Sequence, residues 1–196
     1  GWMDYGVIEA WPMVAFEKLI AYSFILCAGI SAVLTRSNLR RGLITLAAGG
    51  AVTAVSYLIG APIKFGILQF LGLAMLLYAA FGKYLERLPE RLEPIVWLVL
   101  FIAAQLLTDA VRTEAKWLFW LGFLYDGFES FDYFPLLPNI FLFLLGSWAG
   151  RAMKKRRAQL PMLDRRAPGV LTWPGRHSLL IYLLHQPVLF GGCLLA

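Results

Sequence analysis

The chain has 196 residues, 60% hydrophobic and 15% charged, with a formal net charge of +6 and a mean hydropathy of +0.68. Its apolar residues fall in runs of roughly 17 to 22, the length that spans ~30 Å of hydrocarbon. This composition excludes an ordinary soluble globular domain and predicts one all-α domain over residues 1–196, a polytopic integral membrane bundle.

Six spans are legible in chain order. Ahead of the first, Gly1 to Pro12 carries Asp4 and Glu9 and has no basic n-region, unlike a cleavable signal peptide. Span one covers about Met13 to Thr35, with Glu17 and Lys18 in its opening turns. Its Ala28, Gly29, Ser31 and Ala32 suit close helix contact. Span two runs from about Gly42 to Gly60, span three from about Lys64 to Gly82 and span four from about Pro94 to Val111. Pro62 and Pro94 suit helix starts. A longer segment, Arg112 to Phe134, contains the patch Lys116-Trp117-Leu118-Phe119-Trp120, which fits the membrane interface. Span five runs from Pro135 to about Ala152, and span six begins near Ser178.

Loop charge predicts orientation, since cytoplasmic loops carry the Lys/Arg excess. Arg36, Arg40 and Arg41 follow span one, and Lys83, Arg87 and Arg91 follow span three. The connection after span five is the most basic, with Lys154, Lys155, Arg156, Arg157, Arg165, Arg166 and Arg176 among its residues. Alternate connections hold Lys64, then Arg112 and Lys116 beside the acidic Asp126, Glu129 and Asp132. Every basic loop is therefore expected in the cytoplasm and both chain ends outside it. Topology accounts for the positive charge, so no nucleic-acid partner is implied.

The candidate chemistry lies where polar side chains enter these apolar runs. A polar group that loses water without a partner costs about 1–3 kcal/mol, so a histidine at membrane depth is a functional candidate. In span six, Ser178, Tyr182 and His185 share one helix face, with Gln186 beside them, and Pro187 frees a backbone carbonyl one turn earlier. His185 is a candidate general base, and the competing reading is a buried, satisfied histidine. Arg176, His177 and Ser178 at that helix's start make a candidate anion site or, equally, a basic anchor. Lys64 and Gln69 open span three, and Asp132 precedes Pro135 as a helix cap or a catalytic carboxylate. In span four, Gln105 and Asp109 lie one turn apart, with Arg112 as an i+3 partner for Asp109. Glu17 facing Asp132 would complete an acid/base pair. The cysteines Cys27 and Cys193 sit inside spans, and no disulfide framework or metal-spaced pair follows from them. With no GxxxxGKS, GxSxG, HExxH or CxxC pattern, nucleotide hydrolysis, serine hydrolysis and zinc proteolysis have no support.

Several of these stretches together resemble bacterial members of the heparan-alpha-glucosaminide N-acetyltransferase catalytic-domain-like family. The matching pieces are Phe24 to Ser31 (FILCAGIS), Arg40-Arg41-Gly42, Ile63 to Gly72 (IKFGILQFLG), Asp132 to Pro138 (DYFPLLP) and Gly175 to Leu189 (GRHSLLIYLLHQPVL). The resemblance implies a transmembrane acyltransferase of the bacterial inner membrane. Acetyl-CoA or another acyl-CoA would be used on the cytoplasmic side, without a metal, and the acyl group would reach an amino-sugar or other acceptor across the membrane. Arg36, Arg40, Arg41 and Arg176 would then hold the cofactor phosphates, Lys64, Gln69, Tyr182 and Gln186 would line the path, and His185, His177 and Asp132 would carry the chemistry.

The pattern departs from the family in two places. Members usually carry an additional helix ahead of span one, and this chain is expected to begin after it. Gln69 stands where members often read FGILH, and no histidine precedes span one, where the eukaryotic enzymes keep their acetyl-accepting one, so direct transfer and an acyl-histidine both stay open. Partners expected are membrane lipids and a glycan or small-molecule acceptor, with room for a homodimer. The rival reading is a non-catalytic membrane protein, such as a transporter or lipid-binding subunit, whose polar stripe specifies packing.

Overall fold

The computed structural model describes residues 11–58, 60, 62–85, 89–130 and 132–156. Contacts divide the chain into Gly1–Lys154 and Lys155–Ala196, and the architecture described is that of the first unit. Its helices are α1 (Trp11–Leu34), α2 (Asn38–Leu58), α3 (Ile67–Leu85), α4 (Glu93–Ala110) and α5 (Leu136–Lys155), with a short 3-10 turn at Lys116–Trp120. Among the described residues there is no strand, only isolated bridges joining Phe65 to Tyr133 and Arg112 to Leu124. The first five predicted spans match α1 to α5. The sixth, with its polar stripe, lies outside the described residues.

Asn38–Leu58, Ile67–Tyr84, Glu93–Ala110 and Leu136–Lys155 are each long and apolar enough to cross a membrane, and Lys18–Leu34 is a shorter apolar stretch. Two of them, α2 and α4, turn most of their apolar side chains outward, whereas α3 and α5 bury apolar residues such as Phe70, Leu71 and Phe143. The buried positions of α2 are Gly42, Thr45, Gly49 and Ser56, whereas Leu39, Leu43, Ile44, Val55 and Leu58 are exposed. Helix α4 buries Glu93, Trp97, Ala104 and Thr108 and exposes Ile95, Leu98, Val99, Ile102, Leu106 and Leu107. In water such a face would be costly. Against lipid tails it costs nothing, and the helices associate through small residues and hydrogen bonds instead. This is a multi-pass helical membrane protein.

Glycines set how closely the helices approach. A Cβ on Gly29 of α1 would stand 2.1 Å from the carbonyl oxygen of Phe143, and one on Gly146 of α5 would stand 2.3 Å from that of Leu26. Gly146 and Gly150, four residues apart, present one face to α1. On the other side of α3, a Cβ on Gly72 would meet the Leu46 backbone nitrogen at 2.7 Å. Helix α3 is thus the centre of the unit, with Phe70 and Ala74 fully buried beside Leu71 and Met75.

One ion pair is buried among the described residues. Arg151 on α5 bonds Glu93 at the start of α4, whose side chain is 4% exposed. Trp97 Nε1 donates to the same Glu93 oxygen at 3.1 Å, and Arg151 Nη1 donates to Ser147 Oγ at 3.3 Å and Tyr78 Oη at 3.4 Å. The acidic partner lies in the first turn of α4 and the basic one in the last turns of α5, the favourable ends of both helix dipoles. These added hydrogen bonds offset part of the desolvation of both charges.

Candidate functional site

Two cavities, each of about 350 Å³, lie at opposite ends of the unit. The basic-end cavity is lined by residues from the α1–α2 connection, among them Arg36 and Asn38, and from the last turns of α3, among them Tyr78 and Lys83. The other is lined by Lys18 and Tyr22 on α1, Gln105 and Asp109 on α4, and Asp132, Tyr133 and Asn139 on the segment entering α5. Along α1 the rise from Tyr22 to Leu34 is about 18 Å, so the two openings face different ends of the membrane-spanning layer.

The chain turns tightly at the basic end. Asn38 Nδ2 donates to the Ala32 carbonyl at 2.7 Å, capping the end of α1, while Asn38 Oδ1 is buried with no partner among the described residues. Arg41 donates to Thr35 Oγ1 at 2.5 Å and Ser31 Oγ at 3.2 Å, so its guanidinium stays beside the connection. Of the three arginines expected here, Arg36 lines the cavity, Arg41 is held by those hydroxyls, and Arg40 is exposed on the first turn of α2. Lys83 joins Arg36 across the opening. In the sequence it reads only as a basic residue after span three, because nothing local pairs it with residue 36.

At the other end, a crossing of two segments replaces local capping. Phe134 N donates to Phe65 O at 2.9 Å, Lys64 N to Ser130 Oγ at 3.1 Å, and Ser130 Oγ to Asp132 O at 2.7 Å. This places Asp132 Oδ2 3.3 Å from the Ile67 amide, the first of α3. Asp132 is therefore a cap, though for α3 and not for the α5 that follows it in sequence. A Cβ on Gly66 would stand 2.6 Å from the same oxygen, so only glycine lets the carboxylate reach the helix end. Pro135 falls just before α5.

Gln69 is saturated by its neighbours. Its Oε1 accepts from Gly66 N at 2.8 Å, the reach-back of a third-position glutamine to the residue before the helix. Its Nε2 donates to Gly49 O at 3.1 Å and to Thr53 Oγ1. Lys64 donates to Tyr125 Oη at 3.1 Å, and its ammonium sits 4.5 Å from the centre of the Phe128 ring. Neither residue lines the acidic-end cavity. Phe128 packs on Tyr133 at 4.8 Å, and Tyr133 Oη donates to Phe119 O at 2.6 Å. Burial pushes the Tyr133 phenol above its ordinary 10.0.

The expected Asp109–Arg112 pair does not form among the described residues. Asp109 Oδ2 instead accepts from Gln105 Nε2 at 2.9 Å, and Arg112, beyond the end of α4 where Val111 turns extended, bridges to Leu124. The chain leaves the helical path before the i+3 geometry is reached. Arg176, His177, Tyr182, His185 and Gln186 lie outside the described residues, as does the Glu17 side chain, so the Glu17–Asp132 pairing stays an expectation. Among the described residues no group of three His, Cys, Asp or Glu could hold a metal ion.

Apolar helices long enough to cross a membrane, with a cavity at each end of the unit, define a multi-pass helical membrane protein. The model of the family described as heparan-alpha-glucosaminide N-acetyltransferase, catalytic, matches residues 1–187. The chain belongs to this family of membrane acetyltransferases. No curated protein and no solved structure matches it.

Proposed function

We propose that this chain is an inner-membrane acyltransferase with six spans that takes an acetyl group from acetyl-CoA on the cytoplasmic side and delivers it to an amino sugar or related envelope acceptor on the other. The observation that carries the reading is the pair of cavities joined to opposite ends of α1, one bearing Arg36 and Lys83, the other Asp109 and Asp132. Two cations beside a helix start suit the phosphates of a coenzyme. An extended thioester arm is the kind of carrier that covers the intervening distance. Carboxylates and amides at the far end suit an acceptor rich in hydroxyl and amino groups. Arg176 would add to the basic end, and the polar stripe of Tyr182, His185 and Gln186, with His177 at its mouth, would line the path between.

At Gln69 the observations favour a packing role over a place on that path, because all its hydrogen-bonding capacity toward α2 and the α3 start is used. The test is acetyl-CoA binding to the purified protein in detergent, comparing wild type with Arg36→Ala, Arg176→Ala and His185→Ala. Binding weakened by the arginine changes and kept in His185→Ala supports cofactor capture at the basic end with His185 further along. No binding to a folded wild type rejects the acyltransferase reading in favour of a non-catalytic one.

A further inference from the structure

Acyl transfer to an amine or hydroxyl requires a group that removes the nucleophile's proton, and we infer that in this chain that group is Asp109, oriented by Gln105. The inference rests on the acyltransferase reading and assigns the base within it. Among the described residues, two carboxylates reach the acidic-end cavity. That of Asp132 is committed to structure: Oδ2 receives the Ile67 amide, and the backbone at Gly66 closes over it. Asp109 stands differently. It lies in the last turn of α4, exposed and lining the cavity. Gln105, one turn earlier, donates to Oδ2 and fixes the carboxylate, while no donor among the described residues reaches Oδ1.

Among the described residues, the charged and titratable groups around it are Lys18 and Tyr22 on α1 and Asp132 and Tyr133 on the segment opposite. Lys18 balances one of the two carboxylates, which leaves the cavity acidic and attractive to an acceptor bearing an amino group. In direct transfer the acceptor nitrogen or oxygen attacks the thioester carbon, and the new C–N or C–O bond forms as the C–S bond breaks. The electron pair leaves with the coenzyme A sulfur, which takes a proton from water. The proton of the nucleophile passes to Asp109 Oδ1 and from there to solvent.

The experiment uses the full chain in proteoliposomes, with acetyl-CoA as donor and glucosamine as acceptor probe, and follows kcat and KM against pH for wild type, Asp109→Asn, Asp109→Glu and Gln105→Leu. Asp109→Asn is expected to lower kcat about 100-fold, the lower range of general-base contributions, and to abolish the acid limb of the pH profile. Asp109→Glu should recover part of the rate with a displaced limb, and Gln105→Leu should shift the limb with a smaller loss. Thermal unfolding separates these effects from misfolding. If Asp109→Asn does not fold, the Asp109→Glu limb decides, and an unmoved limb overturns the assignment. An Asp109→Asn protein with wild-type rate and limb overturns it too, with acyl transfer intact. A folded wild type that neither binds acetyl-CoA nor acetylates glucosamine overturns both.

Discussion

Gln69, Glu93 and Tyr133 show how single side chains hold this structure where water cannot. Gln69→Leu leaves the Gly66 amide, the Gly49 carbonyl and the Thr53 hydroxyl without their partner. At about 1 kcal/mol for each net bond and more for any group left dry, a loss of about 2–3 kcal/mol is expected in reversible unfolding in detergent. Glu93→Ala strands Arg151 in a largely buried site and should cost about 3–5 kcal/mol. Replacing both by apolar residues of similar volume should recover most of that loss, which a double-mutant comparison reads directly. Tyr133 gives a pH signature. Its folded phenol titrates above 10.0, so the stability it contributes is fully present below that pH and is lost as pH rises past it. Tyr133→Phe should flatten the alkaline fall of the melting temperature between the unfolded and folded titrations.

At the scale of elements, close approach between helices matters more than apolar burial. Gly29 and Gly146 let α1 and α5 touch backbone to backbone. A valine at position 29 would drive its Cβ into the Phe143 carbonyl, and no side chain there can yield. Gly29→Val should therefore destabilise the protein by about 2–3 kcal/mol, seen as a lower melting temperature and reduced accumulation in membranes. A change on the lipid face, such as Ile102→Val, should be nearly neutral, because Ile102 is 51% exposed. The link between residues 63–67 and 130–134 is the second such element. It holds the start of α3 against the entry to α5, and that contact gives the acidic-end cavity its wall.

Among the described residues the charges are uneven along the molecule. Arg36, Arg40, Arg41 and Lys83 gather at one end, and Asp109, Asp126, Glu129 and Asp132 at the other, where Lys18, Lys64, Arg112 and Lys116 also lie. The proposed direction of transfer puts the Arg36 end in the cytoplasm, as the positive-inside rule predicts. Single cysteines replacing Ser37 and Asp126 in a background lacking Cys27 and Cys193 test this. The cysteine at 126 should react with an impermeant maleimide from outside intact cells, and the one at 37 only after permeabilisation. The reverse pattern would invert the proposed direction of transfer.

The first five helix positions, membrane class and family were legible in the sequence because each depends on short-range pattern. Runs of apolar residues, Pro94 at the start of α4 and stretches such as DYFPLLP are read without knowing what touches what, whereas α3 begins at Ile67, five residues beyond Pro62. The small residue Gly29 announced close packing, though not its partner. What only the tertiary structure decided is pairing across the chain: Asp132 capping α3 sixty-five residues earlier, Lys83 facing Arg36, and Gln105 rather than Arg112 holding Asp109. The first two depend on where two distant backbones meet, and the third on where a helix stops. In a membrane the apolar pattern marks which residues face lipid, while the few polar contacts that choose partners leave no periodic trace.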